Sequence, residues 1–173
     1  MQVDEPTLIT KSQAGDHEAY ATLVDRYKTA IYHHCFAMVR DEDAAADIAQ
    51  ETFIAAYYNL HKYNPKYRLA TWLFKIATNK GLDYLRRASR QVAADDSLIA
   101  QIASQEPSPH TKAEYSELHT AVSNLQPKYR AALSLYYWQG LSYAEIAQAM
   151  GSPIGSVKVW ILRAKAAIKE ELA

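Results

Sequence analysis

The chain has 173 residues, 49% of them hydrophobic, and its 19 basic and 19 acidic residues cancel to a formal charge of +0. That is enough apolar material for one or two compact domains, yet no apolar run approaches the roughly 18 residues of a membrane span. The N-terminus carries no signal-peptide pattern and Cys35 is the only cysteine, so an intramolecular disulfide is excluded and a reducing, cytoplasmic setting is expected.

In chain order, Tyr20, Leu23, Val24, Tyr27, Ile31, Cys35 and Met38 recur at three- and four-residue steps and predict a helix buried along one face. Inside it His33, His34 and Cys35 invite a metal reading. Consecutive helical residues point in different directions and do not converge on one ion, so no metal is expected there. After Arg40 come Asp41, Glu42, Asp43, Asp47 and Glu51, with no basic residue among them. A second helix is predicted from about Asp43 to Leu60, with Ala45, Ile48, Ala49, Phe53, Ala56 and Leu60 inward. Asp43, Asp47 and Glu51 follow one another at four-residue steps, where like charges cost roughly 0.2–0.5 kcal/mol per pair. Either a basic partner surface offsets that cost, or the helix dipole does so near the N-terminus.

From Lys62 to Arg90 eight basic residues meet one acid, Asp83, and Tyr57, Tyr58, Tyr63, Tyr67, Trp72, Phe74 and Tyr84 lie around and among them. Single-stranded nucleic acid needs this mixture: unpaired bases stack on rings at roughly 1–3 kcal/mol each, while cations track the phosphates. Trp72 and Phe74 read better as core of a third helix starting near Thr71. Tyr63 and Tyr67, in a loop broken by Pro65, are expected to be exposed. Lys75, Asn79 and Arg86 fall near one face of that helix, with Leu69, Leu73, Ile76 and Ala77 on another.

The stretch ADDSLIAQIASQEPSP is acidic, ends in two prolines and reads as a flexible linker. The expected architecture is therefore all-α, two small helical domains over 1–91 and 111–173 joined by a linker over 92–110. Helices resume near His110. Toward the end, Ser142 and Glu145 have capping-box spacing, Leu141 and Ile146 that of a hydrophobic staple, and Gly151 marks a left-handed stop. Ser152 is expected to cap the next helix, with Pro153 at its first position. Together these make a helix-turn-helix. On its second helix Val157, Ile161, Ala164 and Ile168 form the buried stripe, and Gly155, Lys158, Val159, Leu162, Arg163, Ala166 and Lys169 lie opposite. From Ser152 to Lys169 there are four basic residues and no acid, which suits a major groove.

Taken in order, GDHEAYATLVDRYK, DAAADIAQETF, TWLFKIATNKGLDYLRR and LQPKYRAALSLYYWQGLSYAEIAQAMGSPIGSVK resemble a bacterial sigma factor of the extracytoplasmic-function group, the small members that keep only the second and fourth regions of the sigma-70 family. The resemblance implies an initiation factor with no catalytic residues, cofactor or metal. It implies that Asp47, Gln50, Glu51 and Phe53 dock on core RNA polymerase. It implies that Asn64, Tyr67, Lys75 and Asn79 capture and open the single-stranded −10 element, with Arg86 and Arg87 on nearby phosphates. Ser156, Lys158, Val159, Leu162, Arg163 and Lys165 would then face duplex −35 DNA. An anti-sigma protein, membrane-anchored in some members, is the further partner implied, without insertion of this chain into a membrane. Ala46 stands where the family has an acid, and Val159 and Trp160 where it has a small hydroxyl residue and Arg.

Two other classes use less of the chain. A stand-alone helix-turn-helix regulator would need a dimer interface or a receiver domain and would leave the aromatic-basic block idle. A divalent-metal enzyme built on the acids around Asp47 lacks a Gly-rich phosphate loop or an acid–base pair.

Overall fold

The structure is a computed structural model that describes residues 2–94 and 113–173. Among these residues all regular structure is helical. Helices α1 (Glu5–Gln13), α2 (His17–Val39), α3 (Glu42–Asn59) and α4 (Leu69–Ala94) form the first unit, with a short 3-10 turn at Leu60–Lys62. Helices α5 (Ala113–Ser123), α6 (Pro127–Leu133), α7 (Tyr143–Met150) and α8 (Ile154–Leu172) form the second, with a π-helical turn at Ser134–Trp138.

An aspartate starts each of the first three helices. Asp4, Asp16 and Asp41 accept from the backbone N–H of Thr7, Ala19 and Ala44, so each satisfies an otherwise free donor of the first turn. Helix α2 ends with Arg40 in the left-handed region at φ 57°. The first core then assembles on α2: Leu23, Ile31, Cys35 and Met38 are closed in by Ala45, Ile48, Ala49 and Ala56 of α3 and by Leu69, Leu73, Phe74 and Ala77 of α4. Small side chains on α3 let it lie close to its neighbours, and Gly81 of α4 gives room to the Met38 thioether methyl.

The two helical units expected from the sequence are present, and they also touch. One continuous apolar cluster runs from Leu8 through α2, α3 and α4 to Ala131, Ala132, Leu135, Ile146, Val157 and Ile161 of the second unit. Helix α4 packs against α7, and α2 against α6 and the π-helical turn. Helix α4 begins at Leu69, two residues before the expected start, and runs on to Ala94. The rest of the expected linker lies outside the described residues.

Candidate nucleic-acid interface

Three surfaces stand clear of this core. The first is the outer face of α3, where Asp47, Gln50 and Glu51 are exposed. Ile54 and Tyr58 continue the same stripe at 50% and 71% exposure, an apolar addition that the charge pattern alone did not indicate. Their spacing of four, out of phase with the buried Ile48, Thr52 and Ala56, is the signal that marks them. Phe53 does not join this face. It packs half-buried against the core, and its carbonyl oxygen accepts a 2.5 Å hydrogen bond from the Tyr20 hydroxyl. The acids are not wholly unpartnered: Lys80 of α4 reaches Glu51 at 3.7 Å, an exposed pair of small energetic weight.

The second surface combines the loop before α4 with the helix itself. Tyr63 was expected to be exposed and is buried, at 7%. Its ring packs on Trp72, and its hydroxyl donates to the Tyr67 carbonyl oxygen, which braces the loop from inside. Asn64 is exposed, and it orders its own loop: its side-chain oxygen accepts from the Lys66 N–H at 3.0 Å while its carbonyl accepts from the Tyr67 N–H. Tyr67 remains 43% exposed, as expected. Beside it a cleft of about 360 Å³ opens between α1 and the loop, with Ile9 and Thr10 on one wall and Pro65, Tyr67 and Arg68 on the other. Along α4, Lys75, Asn79, Arg86 and Arg87 are all exposed. Lys75, Asn79 and Arg86 repeat at helical spacing on one face, and Arg86 also meets Asp83 at 3.3 Å.

The third surface is the helix-turn-helix. Both bonds of the Ser142–Glu145 capping box are formed, Leu141 and Ile146 are buried as a staple, and Gly151 adopts φ 57°. The second turn departs from expectation. The Ser152 hydroxyl donates to the Met150 carbonyl instead of capping α8, Pro153 takes the cap position, and the helix starts at Ile154. Pro153 at the cap leaves Ser152 one residue too far out to reach the first free N–H groups. Along α8, Val157, Ile161 and Ala164 are buried and Ile168 is half-buried. Lys158, Val159, Leu162, Arg163 and Lys165 are exposed, and Ser156 is half-buried at the start.

An aromatic ledge that sequence reasoning missed supports the basic residues. Tyr136 and Tyr143 stack with ring centres 5.1 Å apart. The Lys165 ammonium lies 5.2 Å from the Tyr137 ring centre and the Lys158 ammonium 5.9 Å from that of Tyr143. The hydrogen bond that the Lys165 ammonium donates to the Tyr137 hydroxyl oxygen holds its pKa above the ordinary value. The ledge depends on the π-helical turn, where the Gln139 N–H reaches the Ser134 carbonyl and turns Tyr137 and Trp138 outward. Trp160 sits at the domain edge, half-buried under Lys128.

Among the described residues no three His, Cys, Asp or Glu side chains group so as to hold a metal ion, and no helix is long and apolar enough to cross a membrane.

Comparison with known proteins gives a consistent result. The Sigma-70 region 2 family matches residues 23–91 and the Sigma-70, region 4 family matches residues 115–168. The ECF RNA polymerase sigma factor SigW of Bacillus subtilis (strain 168) is 34% identical, over 95% of this chain and 94% of that one. Among solved structures, CnrH in complex with the cytosolic domain of CnrY is 25% identical with a TM-score of 0.72, covering 96% of this chain and 95% of its own. The sigma factor RpoE in complex with the anti-sigma factor NepR, from Bartonella quintana, has the same fold, with a TM-score of 0.73 at 22% identity over 88% of this chain and 96% of that one.

Proposed function

The chain belongs to the extracytoplasmic-function group of the sigma-70 family, a transcription initiation factor and not an enzyme, and from that premise we propose how its surfaces divide the work. Asp47, Gln50 and Glu51, extended by Ile54 and Tyr58, form the docking face for core RNA polymerase. Phe53 supports that face from within. The loop at Asn64–Tyr67 and the α4 side chains Lys75 and Asn79 hold the single-stranded −10 element, with Arg86 and Arg87 on its phosphates. Tyr67 supplies the stacking ring, and the cleft beside it has room for an extruded base. Asn64 shapes the loop. On α8, Ser156, Lys158, Val159, Leu162, Arg163 and Lys165 face the major groove of the −35 element.

The first two surfaces are served by residues 1–91 and the third by 111–173. A net charge of zero fits this division, because polymerase supplies part of the DNA affinity while acid and base blocks serve different partners. The factor works in the cytoplasm, and an anti-sigma protein is the expected antagonist, as CnrH is found with the cytosolic domain of CnrY. The observation that carries the reading is the exposed face of α8 from Lys158 to Lys169, basic or apolar and free of acids, behind a first helix closed by its capping box. Transcription from a genomic promoter library with purified core polymerase tests it. Promoter-specific transcripts that appear only when the chain is added are expected. Specific duplex binding by the chain alone, with no effect on polymerase, would instead mark a stand-alone regulator.

A further inference from the structure

Lys128 of α6 is exposed, as are Lys158 and Lys165 of α8, and each of the three ammonium groups lies against aromatic rings. That of Lys128 is 5.5 Å from the Tyr129 ring centre and 5.6 Å from that of Trp160. Lys158 stands 5.9 Å from the Tyr143 ring centre, and Lys165 5.9 and 5.2 Å from those of Tyr136 and Tyr137. Among the described residues none of these lysines pairs with a carboxylate. A carboxylate partner would order a lysine and cancel its charge. An aromatic face orders it and leaves the charge in place for an anion that comes from outside. The Trp160 ring is itself half-buried against the core, so its position is fixed by packing.

Lys128 stands on a different side of α8 from the other two. Val159, Leu162 and Arg163 centre the exposed face of that helix, opposite the buried Val157, Ile161 and Ala164. At 3.6 residues per turn, Lys158 and Lys165 lie about 100° round from that centre in one direction and Trp160 about 100° in the other. Lys128, carried over the Trp160 ring, belongs to this second flank. An α-helix with its side chains is about 10–12 Å across, and the major groove of B-DNA is about 12 Å wide. A helix seated there sets each flank against a different phosphate strand. Along the second flank α8 itself carries Ser156, Trp160 and Ala167, and no cation. The positive charge on that side comes from α6.

We propose that Lys128 is a DNA-contacting residue supplied from outside the helix-turn-helix: it holds a phosphate of the strand opposite the one met by Lys158 and Lys165, and Trp160 is the positioning residue that carries it there. The proposal rests on reading α8 as the −35 surface. A phosphate contact carries no base information, so Lys128 adds affinity at every promoter and fixes the register of α8 in the groove. Grip on both strands also keeps Val159 and Leu162 at a constant depth over the base edges.

The test uses the full chain bound to core polymerase, on promoter duplexes in which single −35 phosphates are replaced by uncharged methylphosphonates, one strand at a time. Lys128→Gln should weaken binding to the unmodified promoter by about threefold to tenfold and lower the salt slope by about one. On one strand a methylphosphonate should cost the wild type that same factor and cost Lys128→Gln little, because both changes remove the same contact. Lys158→Ala should couple in this way to the other strand. Trp160→Leu keeps an apolar anchor but no ring, and should lose the Lys128 coupling although the lysine is present. A ring-fluorinated tryptophan at position 160 keeps the shape, weakens the pull of the ring face on a cation, and should lose it likewise. Wild-type affinity and slope in Lys128→Gln, additive losses at every phosphate, or coupling on the strand that couples to Lys158 would each overturn the assignment. Full coupling with the fluorinated ring would overturn the part given to Trp160. A promoter with a scrambled −35 element is scored separately. If the wild type binds it as well as the intact promoter, the reading of α8 itself fails; if it discriminates and Lys128→Gln still matches the wild type, the failure is that of Lys128 alone.

Discussion

Val159 and Leu162 stand 42% and 68% exposed on α8, opposite a stripe closed by Val157, Ile161 and Ala164. Such an apolar pair between Lys158 and Arg163 has little use against water and fits thymine methyl groups in a major groove. Val159→Ser should therefore change which base is preferred at one −35 position, by about 1–3 kcal/mol, without loss of thermal stability. A randomised −35 library transcribed with each protein reads this out, and identical selected sequences would return Val159 to a passive role. Lys158 is different in kind. Its ammonium, steadied over the Tyr143 ring, is placed for a phosphate, so Lys158→Ala should weaken all promoters alike and reduce the salt slope by about one.

At the scale of elements, α3 and α4 make separable contributions. Asp47→Lys with Glu51→Lys should reduce core polymerase binding by about 2–5 kcal/mol, through lost charge pairing and added repulsion, and pull-down of core by a still-helical double variant measures it. Tyr67→Ala or Asn79→Ala should leave that binding intact and slow strand opening, tenfold to a hundredfold for a stacking loss of about 1–3 kcal/mol. Permanganate reactivity of promoter thymines follows the opening, and wild-type reactivity in both variants would make these side chains structural. The elements most legible in the sequence are those with local determinants. The capping box, the staple and the Gly151 stop each lie within a few residues of one another, and all three form as read. Tyr63 is not legible in this way, because its burial comes from Trp72, nine residues on, and from the fold of its own loop. Phe53 was assigned inward by periodicity and outward by family correspondence, and its ring follows the periodicity. The aromatic ledge under Lys158 and Lys165 joins residues from the π-helical turn, α7 and α8, and no one-helix pattern announces it.

For the whole molecule, the seam between the units links stability to pH. His34, which in the sequence is only the middle of a His-His-Cys run, is fully enclosed once α4 and the π-helical turn close over α2. Burial pushes its pKa from the ordinary 6.5 down to about 3. Its neighbours there are the Thr78 and Ser134 hydroxyls and the edge of the Phe74 ring, and no carboxylate is present to hold a proton on it. The folded, closed chain therefore binds fewer protons at this site than the unfolded chain. The neutral imidazole's contribution is fully present above about 6.5 and is lost progressively as pH falls toward about 3, by up to about 1.4 kcal/mol per pH unit. His119 is shifted in the same direction by partial burial and by Arg40, but it is mostly solvent-screened and adds little. Glu145 is held below its ordinary 4.5, so its stabilising charge is lost only at more acid pH and does not confuse a comparison made between about pH 5.5 and 7.5. Urea midpoints across that interval should fall with acidity for the wild type. His34→Asn, which keeps a hydrogen-bonding side chain and removes the titration, should start less stable and show a much flatter slope. Equal slopes in the two proteins would mean that His34 is hydrated in solution and that the seam does not close over it.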